Sequence, residues 1–139
     1  MISSFSGHHR FLSNFFPCEI ELDGEIYVSL EHAFQARKTL DLAERAKVRA
    51  AKTPGDAKHL GRKVTLVENW EKIKLGVMET LVHQKFKRHP ILRGELLLTG
   101  DEELVEGNTW GDVFWGVCRG KGENHLGKIL MKIRSELRR

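Results

Sequence analysis

Two cysteines and three prolines in 139 residues leave little to staple or stiffen this chain. Cys18 and Cys118 could form one bridge, but two thiols make no disulfide framework. Both read more simply as small buried hydrophobes, and a reducing, cytoplasmic location is expected. No apolar run approaches the roughly 20 residues that cross a bilayer, and the opening MISSFSGHHRF lacks an apolar signal core. No membrane partner is therefore expected. Seven histidines are present, but His8 and His9 are adjacent and the others scattered, without ligand-like pairs, and neither cysteine lies in a Cys-x-x-Cys motif. Neither a metal nor a cofactor is expected. A GxSxG elbow and a Walker loop are also missing. With no repeat, linker or low-complexity tract, residues 1–139 read as one domain. Nothing marks an interface, so a monomer is expected.

What is present suits a folded globular chain: 40% hydrophobic and 30% charged residues. The net charge of +4 permits a phosphate-bearing partner. It equally suits a mildly basic protein, because RSELRR and KFKRHP fall at plausible helix ends, where cations favour the dipole. Residues 18–28 alternate apolar and polar around Asp23-Gly24 and predict a hairpin. Ser29 then caps a helix to about Leu40. Asp41 and Glu44 have capping-box spacing for a second helix, and Thr53-Pro54 opens a third, closed by Gly61. Trp70, Ile73, Val77, Met78 and Leu81 recur near a period of 3.6, with Glu68, Lys72 and Glu79 opposite. Pro90 ends that helix and starts another to Leu98. Asn124 is a natural N-cap for a last helix carrying Leu126, Ile129, Leu130, Ile133 and Leu137. The expected class is α+β, mainly helical with a small antiparallel sheet. Alternating βα units are absent, which argues against a parallel doubly wound sheet.

Two stretches have the composition of a site. On the first helix Glu31, Gln35 and Lys38 fall within roughly 60° of one another on the wheel, beside Phe34 and Leu30. A stripe bordering the buried face is where a lysine is desolvated and becomes a neutral nucleophile. A solvated polar stripe has the same spacing. Arg37 sits nearer the apolar sector, so it must snorkel, pair with an acid or contact an anion. The second stretch, Val105–Gly127, weaves Glu106, Asp112, Glu123, Trp110 and Trp115 through six glycines. Glu106 and Asp112 suit acid–base work if their environments differ, or stand as ordinary loop acids. Residues 120–127 place glycines before a helix N-terminus, where free amides attract phosphate; an ordinary capped loop reads the same way.

In order along the chain, FLSNFFP (11–17), DGEIYVSLEHAFQARK (23–38), NW (69–70), KF (85–86), LLLTGDEELVE (96–106), DVFWG (112–116) and GKGENHLGKILM (120–131) resemble the NADAR, or YbiA-like, family. The resemblance implies a compact, mainly helical α+β domain that hydrolyses the N-glycosidic bond of N-ribosylated substrates. Two substrate classes follow from it: phosphorylated early intermediates of riboflavin biosynthesis, and ADP-ribose on guanine bases of DNA or RNA. It places an entry motif on Phe11, Ser13, Asn14 and Phe15, after Arg10. Glu31 and Lys38 take the helix positions, and Glu106, Asp112, Trp115 and Gly116 the acidic-aromatic motif. Gly122, Asn124 and Gly127 take the glycine–asparagine segment. Gln35, Arg37 and Trp70 complete the expected substrate contacts. Phe16 departs from the tyrosine of many relatives, and Trp110 lies outside the match, which leaves it a core-packing role.

Helix and resemblance meet at Lys38. The expected reaction has Lys38 as nucleophile forming a Schiff base at C1′, with Glu31 or Asp112 moving protons. Trp115 would wall the base or ribose, and the 120–127 backbone with Arg10 or Arg37 would hold phosphate. Carboxylate-activated water attacking an oxocarbenium-like state is the other route. The alternative function is a non-catalytic module that binds ADP-ribose, NAD or nucleic acid.

Overall fold

A computed structural model describes residues 1–139. The backbone divides into two compact units, one of Asn14–Lys85 and one of Met1–Ser13 with Phe86–Arg139. No helix is long and apolar enough to cross a membrane.

The Asn14–Lys85 unit begins with the expected hairpin, β1 (Pro17–Leu22) against β2 (Glu25–Ser29). Asp23 and Gly24 both take positive φ, +50° and +85°, as a two-residue turn matched to strand twist requires. Buried Arg45 holds that turn down: Nη1 donates to Asp23 Oδ2 and Nε to the Thr39 carbonyl, each at 2.7 Å. Helix α1 (Leu30–Ala36) follows, capped by Ser29 Oγ, which accepts from His32 N at 3.1 Å. In α2 (Leu42–Arg49) Asp41 caps as expected, at 2.9 Å from Glu44 N. The Glu44 carboxylate turns elsewhere, accepting from Thr39 Oγ1 and Thr65 N rather than closing a capping box. Thr53 caps α3 (Pro54–Gly61), with Pro54 in the first turn, where its missing N–H costs nothing. Ile20, Tyr27, Leu30, Ala33, Phe34, Val48 and Ala57 form the core beneath these elements.

Helix α4 (Trp70–Arg88) is the long helix that the periodicity predicts. Its buried face is Trp70, Met78, Leu81, Val82, Lys85 and Phe86, while Ile73 and Val77 remain half-buried. The apolar stripe therefore drifts around the helix as it runs.

The second unit holds a 3-10 turn at Gly7–Leu12, α5 (Pro90–Leu98) and α6 (His125–Leu137). Leu126, Ile129, Leu130, Ile133 and Leu137 are buried, as their spacing predicts. Between α5 and α6 lies a short parallel pair, β3 (Gly107–Asn108) with β4 (Val117–Cys118). The sequence gives no sign of it, because two-residue strands carry no periodicity. Both cysteines are free, Cys118 buried and Cys18 half-buried.

Asn124 stands at the N-cap of α6 but does not cap it. It sits in the left-handed region at φ +53° and its side chain makes no cap bond. Oδ1 instead accepts from Glu106 N, and Nδ2 donates to the Leu104 carbonyl, both at 2.9 Å. Gly127 makes this approach possible, since a Cβ there would collide with Asn124 and with the Leu104 carbonyl. Asn124→Ala is expected to destabilise the protein by about 2 kcal/mol or more, through two lost bonds and a buried carbonyl left unpaired. Asn124→Gly should fall between, because it tolerates the backbone but restores neither bond. Denaturant midpoints of the three proteins check the order; equal midpoints would remove the role.

Candidate active site

In the Asn14–Lys85 unit, every residue of α1 is buried, including Glu31, His32 and Gln35. Gln35 Nε2 donates to Glu31 Oε2 at 2.5 Å and so fixes the carboxylate. This contact also assigns the amide, since a carboxylate can only accept. Oε1 of Gln35 has no hydrogen-bond partner and abuts Gly61, where a Cβ would overlap it and lie 2.7 Å from Cδ. Gly61 is thus more than a helix stop: it is the space into which the Gln35 amide fits.

The helix is shorter than expected, ending at Ala36 with Arg37 as C-cap. Lys38 lies in the turn beyond. Its N–H donates to the Gln35 carbonyl at 3.2 Å and its own carbonyl accepts from Val67 N at 2.7 Å. That turn keeps Lys38 on the Glu31 side. Its Nζ lies 5.9 Å from the centroid of Phe34, whose ring packs 5.2 Å from buried Trp70 at 55°. Burial lowers the Lys38 pKa from its ordinary 10.5; the Glu31 charge opposes this, while Arg62, Lys58 and Lys74 add to it. An amine made less basic beside a buried carboxylate is suited to nucleophilic and proton-transfer chemistry.

The structure therefore gathers Glu31, Gln35, Lys38, Phe34 and Trp70, and leaves Arg37 out. Arg37 lines a separate cleft with Leu22 and residues of α4. Asn14 is buried; its carbonyl accepts from Glu31 N at 3.0 Å and its Nδ2 lies 3.4 Å from Met78 Sδ. The entry residue Phe15 is 42% exposed.

Sequence reasoning passed over Lys85. It is 1% exposed on the buried face of α4, its Nζ 5.8 Å from the Phe16 centroid, and burial lowers its pKa to about 8. The signal was available: Lys85 follows Met78, Leu81 and Val82 at helical spacing, so a cation stands where an apolar residue is due.

In the other unit, Arg10 is exposed, Phe11 buried and Ser13 half-buried. Around the loop after β3, Asn108 Nδ2 donates to the Asp112 carbonyl at 2.8 Å, and Asp112 N returns a bond to Asn108 Oδ1 at 3.0 Å. Asp112 Oδ1 accepts from the amides of Phe114 and Trp115, at 3.1 and 2.9 Å. One oxygen of this carboxylate is thus occupied in shaping the turn. The Trp115 ring meets Phe114 edge-on at 4.8 Å, and Phe114 stacks against His125 at 4.5 Å. Glu106 and Gly116 are in close approach, as are Gly122 and the Gly116 carbonyl.

Two expectations are corrected here. Trp110 is no core anchor: it is 64% exposed, carried outward at the apex of the loop that Asn108 and Asp112 close. The 120–127 segment offers no open row of amides for phosphate. Those of Glu123, Asn124, His125 and Leu126 already donate to the carbonyls of Val113, Gly116, Phe114 and Trp115, at 2.8 to 3.2 Å.

A family model described as the NADAR domain matches residues 3–138. The chain is 39% identical over 137 residues to N-glycosidase YbiA of Escherichia coli, covering 96% of this chain and 85% of that protein. It is 42% identical over 132 residues to an N-glycosidase of Nostoc punctiforme, covering 91% and 84%. It is also 40% identical over 133 residues to a riboflavin biosynthesis protein of Vibrio vulnificus, covering 94% of this chain but only 36% of that longer one. The NMR structure of Escherichia coli YbiA superposes with a TM-score of 0.86 at 38% identity, over 99% of this chain and 83% of that one. Matched from end to end by the family model, and close to 40% identical to relatives over more than nine-tenths of its length, the chain belongs to the NADAR domain family.

Proposed function

We propose that this chain is an N-glycosidase, hydrolysing the bond between the anomeric carbon C1′ of a phosphorylated ribose and a nitrogen outside the ring of its base. One observation carries the reading: the half-buried Lys38 amine, made less basic by burial, under the influence of the buried Glu31 carboxylate. The relatives named N-glycosidase support the reaction class.

Such a substrate is an N,O-aminal. Protonation of the ribose ring oxygen by Glu31 opens the ring and leaves an imine at C1′. The neutral amine of Lys38 adds to C1′; the base nitrogen takes a proton and leaves as a free amine. The lysine is then joined to the sugar as a Schiff base. Water adds to C1′, the C–N bond to Lys38 breaks, and the released aldehyde closes again to ribose. The sum is one water consumed and one free base and one sugar formed. Glu31 is the proton carrier in preference to Asp112, whose Oδ1 is already bonded to two amides. Gln35 positions Glu31. The Phe34–Trp70 pair, of a kind worth roughly 0.5–1.5 kcal/mol beyond burial, stiffens the wall beside Lys38.

Two substrate classes fit this chemistry: a ribosylaminopyrimidine phosphate and ADP-ribose on the exocyclic nitrogen of guanine. One relative named for riboflavin biosynthesis supports the first. Side-by-side turnover of the pyrimidine phosphate and of an ADP-ribosyl-guanine oligonucleotide separates them. Retention of the oligonucleotide with neither bond cleaved would make the protein a binding module instead.

Borohydride added during turnover should trap sugar on Lys38, and Lys38→Ala should abolish both trapping and turnover. Near-normal turnover by that variant would return the reaction to carboxylate-activated water. Because the step needs one proton on Glu31 and none on Lys38, a state with as many protons as the ammonium–carboxylate pair, the rate should fall as pH rises through the Lys38 pKa, below 10.5, where that proton is lost. Glu31→Gln should cut kcat by roughly 100-fold. It also removes the group that shares this proton with Lys38, so the residual rate should instead rise with pH as the ammonium is lost. A residual profile that still falls with pH would detach Glu31 from Lys38. Gly61→Ala should displace the Gln35 amide, lowering stability by roughly 1–3 kcal/mol together with kcat. An unchanged melting point and kcat would show the contact to be idle.

A further inference from the structure

The unit of Asn14–Lys85 contains a cleft of about 530 Å³ in which neither Glu31 nor Lys38 takes part. Leu22, at the end of β1, and Arg37, at the C-cap of α1, form one side. Lys72, Ile73, Gly76 and Val77 of α4 form much of the other. Its volume falls within the range of small-molecule sites, roughly 300–1,000 Å³.

Three features of the cleft are unexplained by folding. Ile73 and Val77 belong to the apolar stripe of α4, yet they are only half-buried, as is Leu22. Arg37 and Lys72 line the cleft beside these apolar residues, and neither forms an ion pair of the kind that Arg45, Arg49 and Lys74 make with Asp23, Glu25 and Glu71. No carboxylate lines the cleft. Gly76 is the third feature. Glycine inside a helix is disfavoured by about 1 kcal/mol relative to alanine, and here a Cβ would meet nothing within 4 Å. Packing does not demand a glycine at this position; its effect is to leave the cleft open.

The geometry points to a second ligand site here, for a small amphipathic anion: a carboxylate, sulfonate or phosphate ester with an apolar body. The anionic head pairs with Arg37, whose planar fork suits oxyanions, and with Lys72 as a point charge. The apolar body lies on Leu22, Ile73 and Val77 in the space over Gly76. Neither Lys38 nor Glu31 lines the cleft, so a ligand held by Arg37 need not touch the nucleophile. This site is independent of the proposed hydrolysis.

Amide NMR of the intact 15N-labelled chain, titrated with naphthalene-2-sulfonate and with its neutral counterpart 2-naphthalenemethanol, tests the site. The sulfonate should bind saturably, with shifts centred on Leu22, Arg37, Ile73, Gly76 and Val77. The alcohol and the Arg37→Gln variant should each bind about tenfold more weakly or worse. Gly76→Met should fill the cleft and abolish binding while melting no lower than the parent. Lys38→Ala should bind as the parent does, which keeps this outcome separate from the fate of the catalytic reading. Equal affinity for the alcohol, undiminished binding by Gly76→Met, or shifts centred on Glu31 and Lys38 would each overturn the proposal.

Discussion

A helix of seven residues buried on every side must find partners for its own polar groups, and α1 carries three: Glu31, His32 and Gln35. Each buried group left unpaired costs roughly 1–3 kcal/mol, so these partners dictate what surrounds the helix. His32 Nδ1 shares a 2.6 Å hydrogen bond with Ser29 Oγ, while Nε2 reaches the Ala51 carbonyl at 3.0 Å. That second bond ties the α2–α3 connection to α1. Gln35 donates an amide hydrogen to Glu31 and presses its oxygen against Gly61, so α3 approaches only because its last residue has no side chain. The carboxylate proposed for catalysis is oriented by the same contacts that hold α1, α2 and α3 together.

The early end of α1 matters as much as its burial. Had the helix run on to Leu40, Lys38 would be set by helical geometry alone. It lies instead in a turn closed by its own N–H to Gln35 and its carbonyl from Val67. Arg37 and Lys38, adjacent in sequence, consequently serve different surroundings. Lys38 is grouped with Glu31 and the ring of Phe34, and Arg37 faces an apolar cleft with Lys72. Two neighbouring cations can therefore have unrelated chemistry, one losing basicity and the other holding an unspent charge.

Signals confined to a few residues were legible. Ser29, Asp41 and Thr53 each cap the helix they precede, Asp23-Gly24 turns the hairpin, and Pro90 separates α4 from α5. The Glu31, Gln35 and Lys38 grouping was readable on the wheel because one turn of helix and one further turn of chain preserve it. What escaped depends on partners distant in sequence. Asn124 has the right residue type and place for a cap, but its side chain is claimed by Leu104 and Glu106. The amides before α6 looked open to phosphate until the carbonyls of 113–116 were found on them. Trp110 reads as core by composition, and only the loop around it turns it outward. Residue type predicts what a side chain can do; the competing partners decide what it does.

That distinction governs the choice between the two perturbed lysines. Burial lowers both, that of Lys85 to about 8. A lowered pKa raises the fraction of neutral amine, but a nucleophile must also reach carbon and have its protons moved. Lys85 is 1% exposed among core residues of α4, its Nζ 5.8 Å from the centroid of Phe16. Lys38 is less buried and sits with a carboxylate whose charge opposes the shift. In the proposed reaction that opposition has a use: a carboxylate that stabilises the ammonium is one that can exchange a proton with it. For Lys85, whose folded pKa lies below its unfolded value, the folded chain binds fewer protons between about pH 8 and 10.5. Its burial thus costs most at lower pH, and stability rises through that window. Lys85 thus makes the stability of the fold depend on pH, while Lys38 is the lysine proposed for the chemistry.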